Sequence, residues 1–497
     1  MEILSLIPSH LPCDADVVRA SSVCRLWRRA LTRHAALWSK LDLGVARSYD
    51  FVETRLERTK GSALDITTSF LGCPAILALL GSRGQQFRNL HFLDDCWSYI
   101  QKFSEAASGP LPLLRRLKIY VADSDLHNVD PTIGPSVPLF TGAVNLEEFS
   151  LRVEGGPHLN HFAFPHLSTL ELFAVPQPAS NSRFPASQLL DFLEATPTLQ
   201  TVCVRIVTEI SLEGILPGRM VTLPKVKKFS VSESPWEPSY KIATYISCPS
   251  AKHISLMKEG VHNLFLPDHK FPTWNMIPPQ HIPSQVNEIA LELNQLPFFD
   301  LSCSLSLLSP GPETLKLDYR MTGIIEDGVM APLEGDSVEV ASHTIQDRPL
   351  LEDVKRLHIQ DRHRFVSSDH LGRVTKVVRR LLKSMGSLEE LTLDISDLRP
   401  YLAPFFNTPD FNDLEKSHTY PQIKCFTISN RRSALEMDSR IAIAQFVESQ
   451  HALGIPIERI VLRTVGPAED LAEMVQPWVG VVHCHQEMAV PDIWDSL

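Results

Sequence analysis

The chain has 497 residues, of which 44% are hydrophobic and 21% are charged, a composition typical of globular proteins. This length exceeds one ordinary hydrophobic core, so several domains or an array of repeats are expected. The 47 Lys and Arg against 58 Asp and Glu give a formal net charge of -11. Because phosphate binding needs a positive field, nucleic acid is not expected as the main partner, although a local basic patch is compatible with this charge.

Cysteine usage and the first residues both indicate an intracellular protein. The nine cysteines are scattered singly, odd in number and without a C-x-x-C pair, which predicts reduced thiols rather than disulfides or a zinc site. The opening segment MEILSLIPSHLP lacks a basic region and is a poor signal peptide. No apolar run approaches the about 20 residues that span a bilayer. We therefore expect a soluble protein of the cytoplasm and/or the nucleus, without a membrane partner.

The first forty residues predict three short helices. The first has an apolar stripe at helical spacing, formed by Ile3, Leu4, Ile7 and Leu11. Pro12 ends that segment, and Asp14 can cap a second helix over 15–23. The third is predicted over 23–31, with Val23 and Trp27 on one face. Three short helices bury little surface alone, so this unit needs a larger core or a partner.

The same segment resembles an F-box. The resemblance rests on E-I-L-x-x-I from Glu2, L-P at Leu11, V-C-R-x-W-R from Val23 and L-W-x-x-L from Leu37. It implies that residues 1–43 bind a Skp-type adaptor that is itself bound to a cullin scaffold. The residues that it assigns to adaptor binding are Ile3, Leu4, Ile7, Leu11, Pro12, Val18, Val23 and Trp27. Trp27 and Trp38 are also candidates for attaching the F-box to the domain behind it.

Two features of this segment leave alternatives open. F-box proteins usually carry Leu-Pro just before the position of Glu2, whereas this chain has Met1 there. Either further residues lie upstream, or the first helix is frayed and binds the adaptor more weakly. The segment also carries several arginines and no acid between Asp16 and Asp42. This basic stretch is either a solvated face or a contact with an acidic adaptor.

An apolar-x-x-apolar-x-apolar pattern recurs along the remaining chain at a step of about thirty residues. Its twelve occurrences begin at Trp38, Phe87, Leu114, Leu146, Leu167, Leu199, Val226, Val286, Val354, Leu388, Ile423 and Ile457. Apolar residues two apart point to the same face of a strand, and the residue three positions earlier covers the turn that enters it. The pattern therefore predicts a buried strand at each occurrence.

Helical patterns separate several of these strands. They cover 185–195, 369–384, 438–452 and 468–475. Strands and helical crossovers in alternation predict an α/β solenoid over residues 44–497. This part resembles a leucine-rich repeat domain, although no consistent Asn or Cys follows the pattern. The predicted fold is thus a short helical F-box followed by an irregular solenoid of parallel strands.

Two segments interrupt the repeats. Residues 234–285 are rich in proline and aromatic residues, which predicts no regular strand there. Residues 323–353 carry eight acids and one Arg. This acidic insertion is either a solvated, mobile loop or a binding site for a basic substrate segment.

No catalytic motif is present, and no cofactor is expected. His483 and His485 would share one face of a strand, but no third ligand is near, so we predict no bound metal. The sequence thus predicts a non-catalytic substrate receptor of a cullin–RING (SCF-type) ubiquitin ligase. A non-degradative repeat scaffold or F-box interaction protein is the alternative. An unknown target is expected on the strand face, at Lys355, Arg356, His358, Glu389, Glu390 and Thr392, and Lys424, Cys425 and Thr427 continue this face.

Overall fold

The chain divides into two compact units, and each contains a sheet with mainly parallel strands. The first comprises residues 1–231 and 241–251, and the second comprises 232–240 and 252–497. The computed structural model describes residues 19, 22–43, 48–69, 74–93, 97–107, 109–121, 138–154, 159–175, 183–233, 241–262, 288–295, 301–308, 314–323, 353–361, 378, 382, 385–395, 398–402, 421–430, 435–465 and 468–486. None of the helices formed by these residues combines the length and the hydropathy that a membrane span requires.

In the first unit the long strands pair in the order in which they occur in the chain. The strands are β1 (Lys40–Leu43), β2 (Leu64–Thr68), β3 (Phe87–Phe92), β4 (Arg116–Val121), β5 (Glu148–Glu154), β6 (Thr169–Val175), β7 (Phe184–Pro185), β8 (Thr201–Ile206), β9 (Ile210–Ser211), β10 (Val221–Thr222), β11 (Lys228–Glu233) and β12 (Ile246–Ser247). β1 to β6 and β8 form one parallel series, and β8 also pairs with β11. The two-residue strands form the separate parallel pairs β7–β9 and β10–β12.

Helices and turns connect these strands and cover the buried face of the sheet. The helices are α1 (Arg25–Arg33), α2 (Tyr49–Arg58), α3 (Pro74–Gly81), α4 (Trp97–Ala106) and α5 (Ala186–Glu194). Turns of 3₁₀ helix lie at Ala35–Trp38, Gly84–Gln86, Leu159–His161 and Ala243–Tyr245. The ring of Phe149 on β5 packs against Phe162, Phe164 and Phe192, with centroids 4.8, 5.1 and 6.2 Å away. Helix α5 confirms the helical pattern predicted over 185–195.

The second unit adds nine strands in a less regular order. They are β13 (His253–His262), β14 (Glu288–Gln295), β15 (Leu301–Leu308), β16 (Thr314–Gly323), β17 (Arg356–Asp361), β18 (Glu390–Asp394), β19 (Cys425–Asn430), β20 (Arg459–Thr464) and β21 (Val481–Gln486). β13 pairs in parallel with β16, while β15 pairs antiparallel with both β16 and β14. From β14 the series β17, β18, β19, β20 and β21 is parallel again.

The helices of the second unit confirm two further patterns. They are α6 (Arg399–Leu402), α7 (Met437–Ala452) and α8 (Glu469–Val475), and a 3₁₀ turn lies at Gln476–Trp478. Helices α7 and α8 match the patterns predicted over 438–452 and 468–475. Of the pattern over 369–384, only Val378 and Leu382 fall within the described residues, and both are buried.

The apolar pattern locates strands accurately. Each of the twelve occurrences contains a strand, and eleven of those strands begin two residues after the first apolar position. In the fourth occurrence, Leu146, Phe149 and Leu151 are all buried. The mixed α/β class with parallel strands is therefore confirmed, while the solenoid shape and the leucine-rich repeat family remain predictions.

A backbone contact repeats where the strands begin, and we call it the shared-carbonyl ladder. The carbonyl of Arg115 accepts hydrogen bonds from the N–H groups of both Glu147 and Glu148, each at 2.9 Å. The carbonyls that accept two such bonds are those of Arg115, Glu147, Ser168, Gln200, Lys355, Glu389 and Lys424. Each carbonyl belongs to the residue after the first apolar position of the pattern, so the pattern marks both the buried residues and the strand register.

The prediction that 234–285 holds no regular strand is wrong. β13 is ten residues long and lies within this segment. No proline occurs between Pro249 and Pro267, so every residue of β13 keeps the N–H that a sheet requires. Of the acidic insertion over 323–353, all but Gly323 and Asp353 lies outside the described residues.

Candidate functional site

Helix α1 presents an exposed apolar edge. Val23, two residues before the helix, is 68% exposed, and Leu26 is 57% exposed. Trp27 is half-buried, and its backbone N–H donates to Cys24 Sγ at the start of the helix, at 3.5 Å. Large apolar side chains that are exposed on one short segment can serve as contacts for a partner. The described end of the predicted F-box therefore leaves apolar surface available to a partner.

The structure tests the predicted adaptor residues only in part. It places Trp27 on α1, and Val23 before the helix on the other side of its N-cap residue Cys24. Leu26, which is also exposed, was missed by the sequence analysis. The helix predicted from Val23 begins only at Arg25, because the backbone of Cys24 is extended. The other predicted adaptor residues, Ile3, Leu4, Ile7, Leu11, Pro12 and Val18, lie outside the described residues.

The basic stretch of the F-box is solvent-exposed in its described part. Arg25, Arg28, Arg29 and Arg33 on α1 are all exposed, and the helix has no acid in its first turn. Arg33 lies in the last turn, where a cation is favourable beside the helix dipole. This exposure is compatible with both interpretations of the basic stretch.

Trp38 connects this segment to the rest of the first unit. Its side chain is only 1% exposed, and its indole Nε1–H donates to the carbonyl of Leu31 at 2.9 Å. The guanidinium carbons of Arg55 and Arg58 on α2 lie 4.8 and 4.4 Å from the indole centroid. Arg55 Nη2 donates to the carbonyl of Lys40 at 3.1 Å. These contacts connect the end of α1, the start of β1 and α2, which is the attaching role predicted for Trp38.

The residues predicted to bind the target lie side by side on one face of the second unit. In the parallel register Arg356 is opposite Glu390, and His358 is opposite Thr392. Leu357 and Leu391, which alternate with them, are buried on the other face. The predicted set thus forms neighbouring rows on the face away from the helices.

The same face continues across the next two strands. Glu390 is in register with Cys425, and Cys425 with Arg459. Arg459 Nε donates to Cys425 Sγ at 3.4 Å, and this bond raises the pKa of the Arg459 guanidinium. Glu389 and Lys424, which lie in the turns before β18 and β19, form an ion pair at 3.1 Å. The face is therefore charged, and part of its charge is internally paired.

The cysteines and histidines of the described residues form no cluster suited to a metal. No group of three or more His, Cys, Asp or Glu in this part of the chain could hold an ion. The rings of His483 and His485 stack with centroids 6.5 Å apart on one face of β21. Burial raises the pKa of the Cys248 thiol to about 12, so this thiol is protonated at neutral pH.

The comparisons with known proteins concern the beginning of the chain. A search of curated proteins finds no match to this sequence. Residues 1–44 match the model of the F-box-like family. F-box domains generally bind Skp-type adaptors, and the matched residues include the exposed edge of α1, Trp38 and strand β1. The match supports the identification of the chain as an F-box protein.

Proposed function

We propose that this protein is a non-catalytic substrate-recognition subunit of an SCF-type cullin–RING ubiquitin ligase. The observation that carries the proposal is the F-box-like match over residues 1–44. The exposed apolar edge at Val23 and Leu26 lies within the matched residues and supports adaptor binding, since helix-in-groove recognition needs exposed apolar anchors. In this proposal ubiquitin transfer takes place on other subunits.

We further propose that the rest of the chain is an irregular leucine-rich repeat solenoid. Two observations support this interpretation. The strands of the first unit pair in chain order, and the shared-carbonyl ladder recurs at the same position of the apolar pattern in both units. Repetition of one supersecondary unit on its neighbour is the principle by which solenoids bury their core.

The target is proposed to bind the strand face away from the helices. In the second unit this face comprises the neighbouring rows that include Arg356, His358, Glu390 and Thr392. Parallel strands present these side chains on a rigid surface whose charges can select a partner. Cytoplasm or nucleus is the compartment in which we place this interaction.

Adaptor binding can be tested by charging the apolar edge. We expect Val23→Asp with Leu26→Asp to abolish co-purification of a Skp-type adaptor, because a carboxylate cannot enter an apolar groove unpaired. Ile3→Asp with Ile7→Asp is expected to have the same effect. Val144→Asp with Leu216→Asp is the matched control, since both residues are exposed apolar side chains outside the matched segment. Wild-type recovery of adaptor by both test variants would show that the F-box assignment is wrong.

The same variants separate the degradative function from a scaffold function. They are preferable to removal of residues 1–43, because that deletion would also remove Trp38 and β1, which belong to the first unit. If the protein delivers targets for degradation, a bound target accumulates in cells that express the adaptor-deficient variant. Unchanged target lifetime together with lost adaptor binding would favour the non-degradative scaffold.

A further inference from the structure

A phenylalanine lies on the solvent face of the first unit, where the sheet carries mainly polar side chains. On β6, Leu170, Leu172 and Ala174 are buried, so Phe173 points to the opposite face together with Thr169. Phe173 is only half-buried there. An aromatic side chain that remains accessible on a rigid strand face is a common anchor in protein interfaces.

Two arginines flank this ring across the sheet. Arg152 on β5 and Arg205 on β8 are the register neighbours of Phe173 on its two sides. Their guanidinium carbons lie 5.1 and 4.5 Å from the ring centroid, within the range of cation–π contacts. We call these three residues the Arg–Phe–Arg cluster. The ring orients both guanidinium groups, so binding an anion immobilises less side-chain freedom than it would for two mobile arginines.

The cluster continues into a row with further polar and basic groups. Tyr120 on β4 is the register neighbour of Arg152, and its ring meets that of His91 edge-on at 5.0 Å. Lys118 lies two residues before Tyr120 on the same strand face. Tyr and Arg are the residue types most enriched among those that dominate binding energy.

The charge of this surface is opposite to that of the whole chain. The charged residues at the outward positions around the cluster on β4, β5, β6 and β8 are Lys118, Arg152, Arg205 and the acid Glu171. One further acid, Glu154, is the next outward position on β5 after Arg152. In the first row, Arg116 is already paired with Glu148 at 2.8 Å. The surface thus has an excess of positive charge in a protein whose formal net charge is -11.

We propose that the Arg–Phe–Arg cluster, with Tyr120 and Lys118, is a docking site for an acidic peptide segment rich in Asp and Glu. Charge complementarity supports this partner: a guanidinium can bind a carboxylate with two parallel hydrogen bonds, and Phe173 offers apolar contact between the two arginines. The inference rests on the proposed target-receptor function and names the chemical class of its target. It adds a binding site in the first unit to the charged rows that are predicted to bind the target in the second.

The test measures binding of a defined probe to the full-length chain, without adaptor. The probe is a fluorescein-labelled peptide of alternating Asp and Glu, compared with an Asn and Gln peptide of the same length. Fluorescence anisotropy is expected to show binding of the acidic peptide only, with affinity that falls as salt rises above about 0.15 M. Arg152→Glu with Arg205→Glu is expected to weaken binding by more than about tenfold, and Phe173→Ala by several fold.

Matched variants control for charge and folding. Lys102→Glu with Lys225→Glu makes the same charge change at exposed positions outside these rows, on α4 and in the turn before β11. It is expected to leave binding near wild type. If the double arginine variant fails to fold, Arg152→Gln alone tests the same contact with a smaller change. Equal loss of binding in the lysine control would overturn the site, because only a general charge effect would remain.

A third probe distinguishes carboxylates from phosphates. It is the Asn and Gln peptide with two phosphoserines. Binding of this peptide without binding of the acidic peptide would overturn the assignment to Asp and Glu. Adaptor co-purification, measured on the same variants, is expected to stay at wild-type level. Peptide binding that persists in a chain without adaptor binding would refute the ligase function and leave the docking site standing.

Discussion

In the first unit each long strand pairs with the next one along the chain, whereas the second unit contains strands that pair out of order. There, β13 is parallel to β16, and β14 and β15 lie between β16 and β17 with β15 running antiparallel. Both units nevertheless use the same shared-carbonyl ladder where the parallel series is regular. The comparison teaches that a series of parallel strands can include an antiparallel strand, β15, when β14 pairs again in parallel with β17.

The largest expected effect comes from emptying the aromatic core of the regular region. Phe149→Ala should lower the free energy of unfolding by about 3–5 kcal/mol, because it removes a buried ring that packs against three other phenylalanines and leaves a cavity. Chemical denaturation measures this loss, and hydrogen exchange should show faster exchange in β4 to β6.

The matched variant in the second unit is Phe426→Ala, whose ring contacts Phe446 at 5.1 Å. It should increase exchange in β18 to β20. Phe149→Leu is the conservative control and should retain most of the stability. If Phe149→Ala left exchange in β4 to β6 unchanged, the aromatic packing described for the first unit would be wrong.

The second prediction tests the position of the antiparallel strand β15. Ser306 on β15 is in register with Ala290 on β14 and Lys316 on β16. We expect Ser306→Pro to destabilise the chain, because proline lacks the N–H donor that a central strand uses. The loss should be at least that of one backbone hydrogen bond, about 1 kcal/mol. Hydrogen exchange should increase in β14 and β16, while Ser306→Thr should have little effect. Unchanged exchange would show that β15 is not a central strand.

The third prediction concerns the charged rows of the second unit. Glu389→Lys with Glu390→Lys is expected to weaken binding of a target about tenfold, because charge complementarity is reversed at two adjacent positions. Adaptor binding should persist, and folding should change little, since the exposed Glu389–Lys424 pair is worth less than about 1 kcal/mol. A pull-down of an identified target measures the effect.

The control reverses two acids on the helices instead, at Glu448 and Glu473, which are both exposed. It should bind the target like the wild type. Unchanged target recovery in the Glu389 and Glu390 variant would exclude these rows as a binding site. The acidic insertion over 323–353 would then be the next candidate in this unit.

The smallest expected effect is a pH dependence in the first unit. Burial, and secondarily the charge of Lys118, lowers the pKa of His91 below its ordinary value. The unfolded chain therefore binds a proton more readily, and His91 makes the fold less stable as pH falls below about 6.5. The free energy of unfolding of His91→Gln minus that of the wild type should therefore increase as the pH is lowered from 7.5 to 5. The same difference for exposed His166→Gln is the control, and a pH-independent difference for His91→Gln would contradict the burial of this ring.

The sequence predicted the regular strands well because their signal is local. A buried triplet such as Leu146, Phe149 and Leu151 specifies the turn and the strand within six residues. β15 and β16 were not among the occurrences of this pattern. Alternation of apolar residues in such strands does not reveal which strand pairs with them or in which direction it runs. β21 has exposed side chains on most positions, so it offered little hydrophobic periodicity.

The candidate sites differ in the same way. Val23 and Trp27 were found from a contiguous motif, and the rows at Arg356 and Glu390 follow from equivalent positions in the pattern. The Arg–Phe–Arg cluster joins residues from three strands that are separated by 21 and 32 positions, counted from Arg152 to Phe173 and from Phe173 to Arg205. Its existence depends on the exact cross-strand register, which no single stretch of sequence encodes.

The shared-carbonyl ladder has a consequence for how this protein can evolve. The residues whose carbonyls hold neighbouring strands are as different as Arg115, Glu147, Ser168, Gln200 and Lys355. Since the ladder uses only backbone atoms, these side chains can be exchanged during evolution without loss of the hydrogen bonds between the strands. Substitutions at the residues that precede the strands could therefore change which partner this surface binds, while the backbone that carries these side chains stays the same.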